Sequence, residues 1–97
     1  MVGLLMILSG CGQPQAGQSP ETLELLMKIQ TAVMAKRLDL LDQSLQQGDR
    51  LVASQQLSPD ARSVLQEVAD LARADDWTAA QKRWLRFAKG QRPIPSH

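Results

Sequence analysis

From Glu21 to Gln47 neither glycine nor proline interrupts the chain, and apolar residues return throughout at helical spacing. At about 100° per residue, Leu23, Leu26, Met27, Met34, Leu38, Leu41 and Leu45 fall on one face. Leu25, Ile29, Ala32, Val33 and Leu40 widen the apolar arc round a second side, while Glu24, Lys28, Asp39, Asp42 and Gln46 mark the wet one. Ser19-Pro20-Glu21 is a helix start: a capping hydroxyl, a proline in the first turn, an acid near the positive end of the dipole. Gly48 supplies a stop. The pattern predicts one long helix with an apolar arc wide enough to meet more than one neighbour.

Beyond it, residues 49–56 read equally as a helical extension carrying Leu51 and Val52 or as a packed loop. Leu57-Ser58-Pro59-Asp60 then repeats the start signal, and a second helix over about Pro59 to Arg73 places Ala61, Val64, Leu65, Val68, Leu71 and Ala72 on one stripe. Ala74-Asp75-Asp76 forms a turn with an aspartate cap. A third helix puts Trp77, Ala80, Trp84, Phe87 and Ala88 on one side and Lys82, Arg83, Arg86 and Lys89 on the other, with Gly90 as its stop. So short a turn makes the last two helices an antiparallel pair. The fold expected is all-α: one long helix plus an antiparallel helical hairpin, a three-helix partial bundle over residues 20–90 with a disordered tail at 91–97. Val and Ile never alternate with polar residues over a length a strand could use.

Ahead of the helices, Met1 to Leu8 is apolar apart from Gly3, too short to span a bilayer and better suited to the apolar part of an export signal. No Lys or Arg precedes it, which is expected if the true start lies upstream. Leu8-Ser9-Gly10-Cys11, an aliphatic residue, two small ones and then the lone cysteine, resembles the lipobox of bacterial lipoproteins. That resemblance implies a signal peptide over residues 1–10, covalent lipid such as palmitate on Cys11, and residues 11–19 as anchor and flexible tether. It places the protein in a bacterial cell envelope, with Gly12 favouring the outer membrane in a Gram-negative cell.

Little here suggests catalysis. One cysteine excludes an internal disulfide, and no Cys/His cluster with zinc spacing exists; neither metal nor cofactor is expected beyond the lipid. No nucleophile–base pair or phosphate loop is present, and the reading is of a non-enzyme. Asp75 and Asp76 read as caps in preference to a metal or acid–base pair. The candidate core or partner face comprises Leu26, Ile29, Val33, Leu41, Trp77, Trp84 and Phe87; the tryptophans read as packing, with a ligand-stacking surface as the alternative. After Asp76 the chain has no acid and five cations, although its net charge is only +1. Lys82, Arg83, Arg86 and Lys89 read first as a solvated face favoured by the helix dipole, and second as a contact for anionic headgroups. Nucleic acid is not an expected partner.

Lys36-Arg37-Leu38 with Leu40-Leu41, then Gln56-Leu57-Ser58-Pro59, Leu71 and Asp76-Trp77-Thr78-Ala79-Ala80 stand in an order that resembles the C-terminal helical domain of the steroid receptor RNA activator protein and the COPII coat outer subunit. Over residues 36–88 the resemblance implies an all-α bundle used for protein contacts, with no catalytic residues. Between Arg37 and Leu57 this chain is longer than that pattern by about two helical turns, and it stops soon after the third helix. Two functions are expected from these features: a small lipid-anchored helical module that binds a protein partner or a second copy, or a cytosolic scaffold-binding fragment of such a domain behind a false N-terminus.

Overall fold

The computed structural model describes residues 15–17 and 19–91, so Cys11 and the apolar run before it lie outside the described residues. Among those described, the chain is all-helical without strands: α1 (Pro20–Met34), α2 (Leu38–Ala53), α3 (Pro59–Arg73) and α4 (Trp77–Lys89). Consecutive helices pack side by side in an up-and-down order, and α1 also touches α4, more sparsely than the other neighbours touch each other.

The single long helix and the three-helix count are corrected here. The break falls at Ala35-Lys36-Arg37, and Gly48, expected as the stop, lies buried inside α2. The reason is a reversal made without glycine. Lys36 adopts the left-handed conformation (φ 57°), its N–H donates to Val33 O, and Arg37 N–H donates to Ala32 O at 2.8 Å. These two bonds make a Schellman ending, in which the residue after the C-cap turns left-handed and the lost carbonyls recover donors. Gln55 (φ 64°) ends α2 and Asp75 (φ 62°) ends α3 in the same way, with Gln56 N–H donating to Leu51 O and Asp76 N–H to Leu71 O.

Each helix then restarts at once. Ser19 Oγ accepts from Thr22 N–H, Ser58 Oγ from Ala61 N–H and Asp76 Oδ1 from Ala79 N–H, all at 3.1 Å. Helix α2 begins at Arg37 without a side-chain cap; instead the guanidinium grips Asp39 in the first turn and lowers that exposed carboxyl to about 2.

The apolar stripes meet in one core. Helix α1 contributes Leu25, Ile29, Ala32 and Val33; α2 contributes Leu41, Leu45 and Leu51; α3 contributes Ala61, Val64, Leu65, Val68, Ala69 and Ala72; α4 contributes Ala80, Trp84 and Phe87. Thr22 is also fully buried, its hydroxyl accepting from Ser19 Oγ and donating to Gln56 O at 2.7 Å, which ties the start of α1 to the α2–α3 turn. Ion pairs Arg62–Asp49 and Arg73–Asp42 bridge α3 to α2, and Arg83–Glu67 bridges α4 to α3.

Residues 15–17, expected as flexible tether, instead pack on this body. Ala16 is buried beside the α2–α3 turn and its carbonyl accepts from Ser58 N–H. Gly17 (φ +126°) is required there, since a Cβ would lie 2.7 Å from Gln56 O.

Gly48→Ala should raise stability by about 1 kcal/mol in a denaturant melt, because a helical glycine is replaced and the added methyl meets Arg62 and Leu57 at ordinary contact distance. Were Gly48 a left-handed helix stop, the same change would lower it. At the true reversal, Lys36→Gly should stabilise by about 0.5–1 kcal/mol and Lys36→Val should destabilise.

Candidate functional site, an apolar cleft beside helix α1

Because α1 meets α4 more sparsely than it meets α2, a cleft of about 560 Å³ runs along the outer side of α1, lined by Leu23, Leu26, Met27, Gln30 and Thr31 from α1 and by Trp84, Ala88 and Gln91 from α4 and its end. Across the Met27 ridge a second hollow continues towards α2, floored by Leu23, Leu40 and the stem of Lys28. Met27 is 71% exposed, an unbranched thioether that moulds itself to whatever it meets.

Periodicity explains this partition. The sequence face of Leu23, Leu26, Met27 and Met34 is not the deepest one: Leu23 and Leu26 are half-buried while Met27 and Met34 are exposed. The second side, with Leu25, Ile29, Ala32 and Val33, points into the bundle. An arc that wide is only partly covered by two neighbours, and the remainder forms the cleft.

Trp84 joins the cleft to the core. Its residue is 2% exposed, its ring packs on Phe87 with centroids 5.7 Å apart at 40°, and its indole N–H donates to Gln30 Oε1. Gln81 Nε2 donates to Val33 O at 3.1 Å and fixes the other end of α4 against α1. The α1–α4 seam is thus held by two glutamines around an indole, with apolar walls left open between them.

Of the candidate core or partner residues, Ile29, Val33, Leu41, Trp84 and Phe87 are buried, and Leu26 and Trp77 are half-buried against the same core. Leu26 and Trp84 alone among them line the cleft. The four cations of α4 separate. Arg83 is drawn inward, its side chain 12% exposed on Glu67, whereas Lys82, Arg86 and Lys89 are exposed and have no carboxylate in ion-pair range among the described residues. Sequence reasoning missed Gln30, Gln91 and Leu85. Gln30 had a readable signal, a polar residue beside the apolar arc of α1, but its indole partner is remote in sequence. Leu85, 48% exposed, sits among the three cations one turn from each of Lys82 and Lys89.

The aspartates of the α3–α4 turn act as reversal and cap, Asp75 left-handed and Asp76 accepting from Ala79 N–H. Among the described residues no three His, Cys, Asp or Glu side chains gather as a metal set, and no helix is long and apolar enough to cross a membrane. Of the residues that carry the resemblance to the coat and activator domain, Arg37, Ser58 and Asp76 stand at helix starts, Leu41, Leu57 and Ala80 are buried in the core, and Leu71 packs against it near the end of α3. Their visible work is to begin helices and to fill the core. Fold and cleft define, among the described residues, an all-α bundle of four helices with an open apolar seam. The chain matches no protein family, no curated protein and no solved structure.

Trp84→Ala should cost about 3–5 kcal/mol in chemical denaturation, the usual cost of emptying an aromatic core position. A loss under about 1 kcal/mol would place the indole on the surface.

Proposed function

We propose that this protein is a small, non-catalytic, lipid-anchored module of a bacterial cell envelope that receives a protein partner, or a second copy of itself, in the cleft beside α1. The observation that carries the binding half is the cleft itself: Leu23, Leu26, Met27 and Ala88 present apolar surface that the bundle does not cover, with the buried Trp84 at its edge. Such grooves between helices suit an amphipathic helix whose anchors recur at helical spacing. Anchoring is supported by Leu8-Ser9-Gly10-Cys11 at the end of an apolar run. One acyl chain binds a bilayer only marginally, at about 0.8 kcal/mol per buried CH₂, so lasting attachment calls for multiple acylation of Cys11 or a second contact. The resemblance carried by residues 36–88, if it holds, implies a protein-binding role and adds no site to it.

Metabolic labelling with a fatty acid should mark the expressed chain and leave a Cys11→Ala form unlabelled; an unlabelled parent removes the anchor. The cleft is tested separately by light scattering. Self-association, or binding of an amphipathic helix, should weaken at least tenfold in Met27→Glu, since a carboxylate cannot be left unpaired against Leu26 and Trp84. A variant that associates as tightly as the parent moves the interface elsewhere.

A further inference from the structure

The C-terminal end of α4 is the place where the N-terminal segment joins the bundle. Gln15 Nε2 donates to Gly90 O at 2.9 Å, and Ala16 N–H donates to Gln91 Oε1 at 2.9 Å. On the other side Ser58 Oγ donates to Gln15 O at 2.8 Å, and Ala16 is 2% exposed. The chain that leads back to Cys11 therefore departs from a fixed point at the C-terminal end of α4. Cys11 precedes Gln15 by four positions, a reach of at most ~14 Å. From Lys82 to Lys89 the helix rises only ~10 Å, so the whole stripe lies close to that point.

The stripe has the chemistry of an interfacial surface. Lys82, Arg86 and Lys89 are exposed around Leu85, which is itself 48% exposed. Beyond Asp76 the sequence has no acid to neutralise them. The terminal carbonyls, whose partial negative charge would oppose an anionic surface, already accept hydrogen bonds: Gly90 O from Gln15 and Phe87 O from Gln91 Nε2. A helix with long cationic side chains around a protruding leucine fits the headgroup boundary, where the cations meet phosphates and the leucine enters the acyl layer.

We propose that the outer face of α4, with Lys82, Arg86 and Lys89 around Leu85, rests on a bilayer containing anionic lipid, and that the pinned segment Gln15–Gly17 sets this orientation. The orientation rests on membrane attachment at Cys11; the affinity of the stripe does not. Docked this way, α4 supplies the second contact that a single acyl chain lacks.

The test uses the full chain with Cys11→Ser, so that no lipid contributes, and sedimentation with phosphatidylcholine vesicles with or without one-third phosphatidylglycerol. Binding should favour the anionic vesicles and fall as salt rises. Arg86→Gln with Lys89→Gln should weaken it on the order of 25-fold, about fivefold per cation. Lys36→Gln with Arg50→Gln, which removes the same charge from other exposed sites, should leave it within about twofold. Equal losses in the two double variants, or no preference for anionic vesicles, overturn the proposal. So does a short DNA duplex that displaces the vesicles at equal phosphate concentration, since that marks affinity for any polyanion. Acyl labelling with no anionic preference would leave the anchor and remove the stripe; the converse would leave the stripe and remove the anchor.

Discussion

Three left-handed residues, Lys36, Gln55 and Asp75, make this a bundle. Without them the apolar arcs of α1 to α4 would lie along extended rods, and no arc could cover another. Each reversal spends backbone strain, about 1–2 kcal/mol for a residue with a Cβ, and recovers two carbonyl acceptors at the helix end. The next helix then starts from a serine or aspartate cap, or from the Arg37–Asp39 grip at α2. Because the turns are so short, successive helices must be antiparallel neighbours. Topology follows from there.

Closure of the bundle is uneven. Helices α2 and α3 are joined by two ion pairs, α3 and α4 by a third, and both seams bury small residues such as Ala61, Ala69 and Ala80. The α1–α4 seam closes a ring between elements far apart in sequence, and it does so through Trp84–Gln30 and Gln81–Val33. Trp84 fills the core and also borders the cleft. Core and candidate site share one residue, and a substitution there cannot touch one alone.

The helical class, the starts at Ser19 and Ser58, an aspartate cap ahead of α4, and the inward stripes of α3 and α4 were legible from the chain. Capping is local, and a single narrow apolar stripe at helical spacing admits one buried face. The break at residues 35–37 was not legible, because glycine is the usual sign of a left-handed ending and here lysine takes that place. The glycine that is present, Gly48, lies mid-helix and pointed to the wrong stop. Nor could Gln15–Gly17 be told from a spacer, since the hydrogen-bond partners of Ala16, Ser58 and Gln91, lie more than forty residues away. The membrane reading stands on residues 8–11, which lie outside the described residues.

By itself the sequence determined what is set within one helical turn: where helices begin, which faces are apolar, and that the last helix carries cations without acids. Tertiary structure decided what depends on which arcs meet. It buried Leu25 and Ile29 and left Met27 bare, drew Arg83 onto Glu67 while leaving Lys82, Arg86 and Lys89 exposed, and fixed Gln15 at the end of α4. An apolar arc too wide for its neighbours has no preferred inner side until those neighbours are in place, which is why periodicity alone cannot say where the open seam will fall.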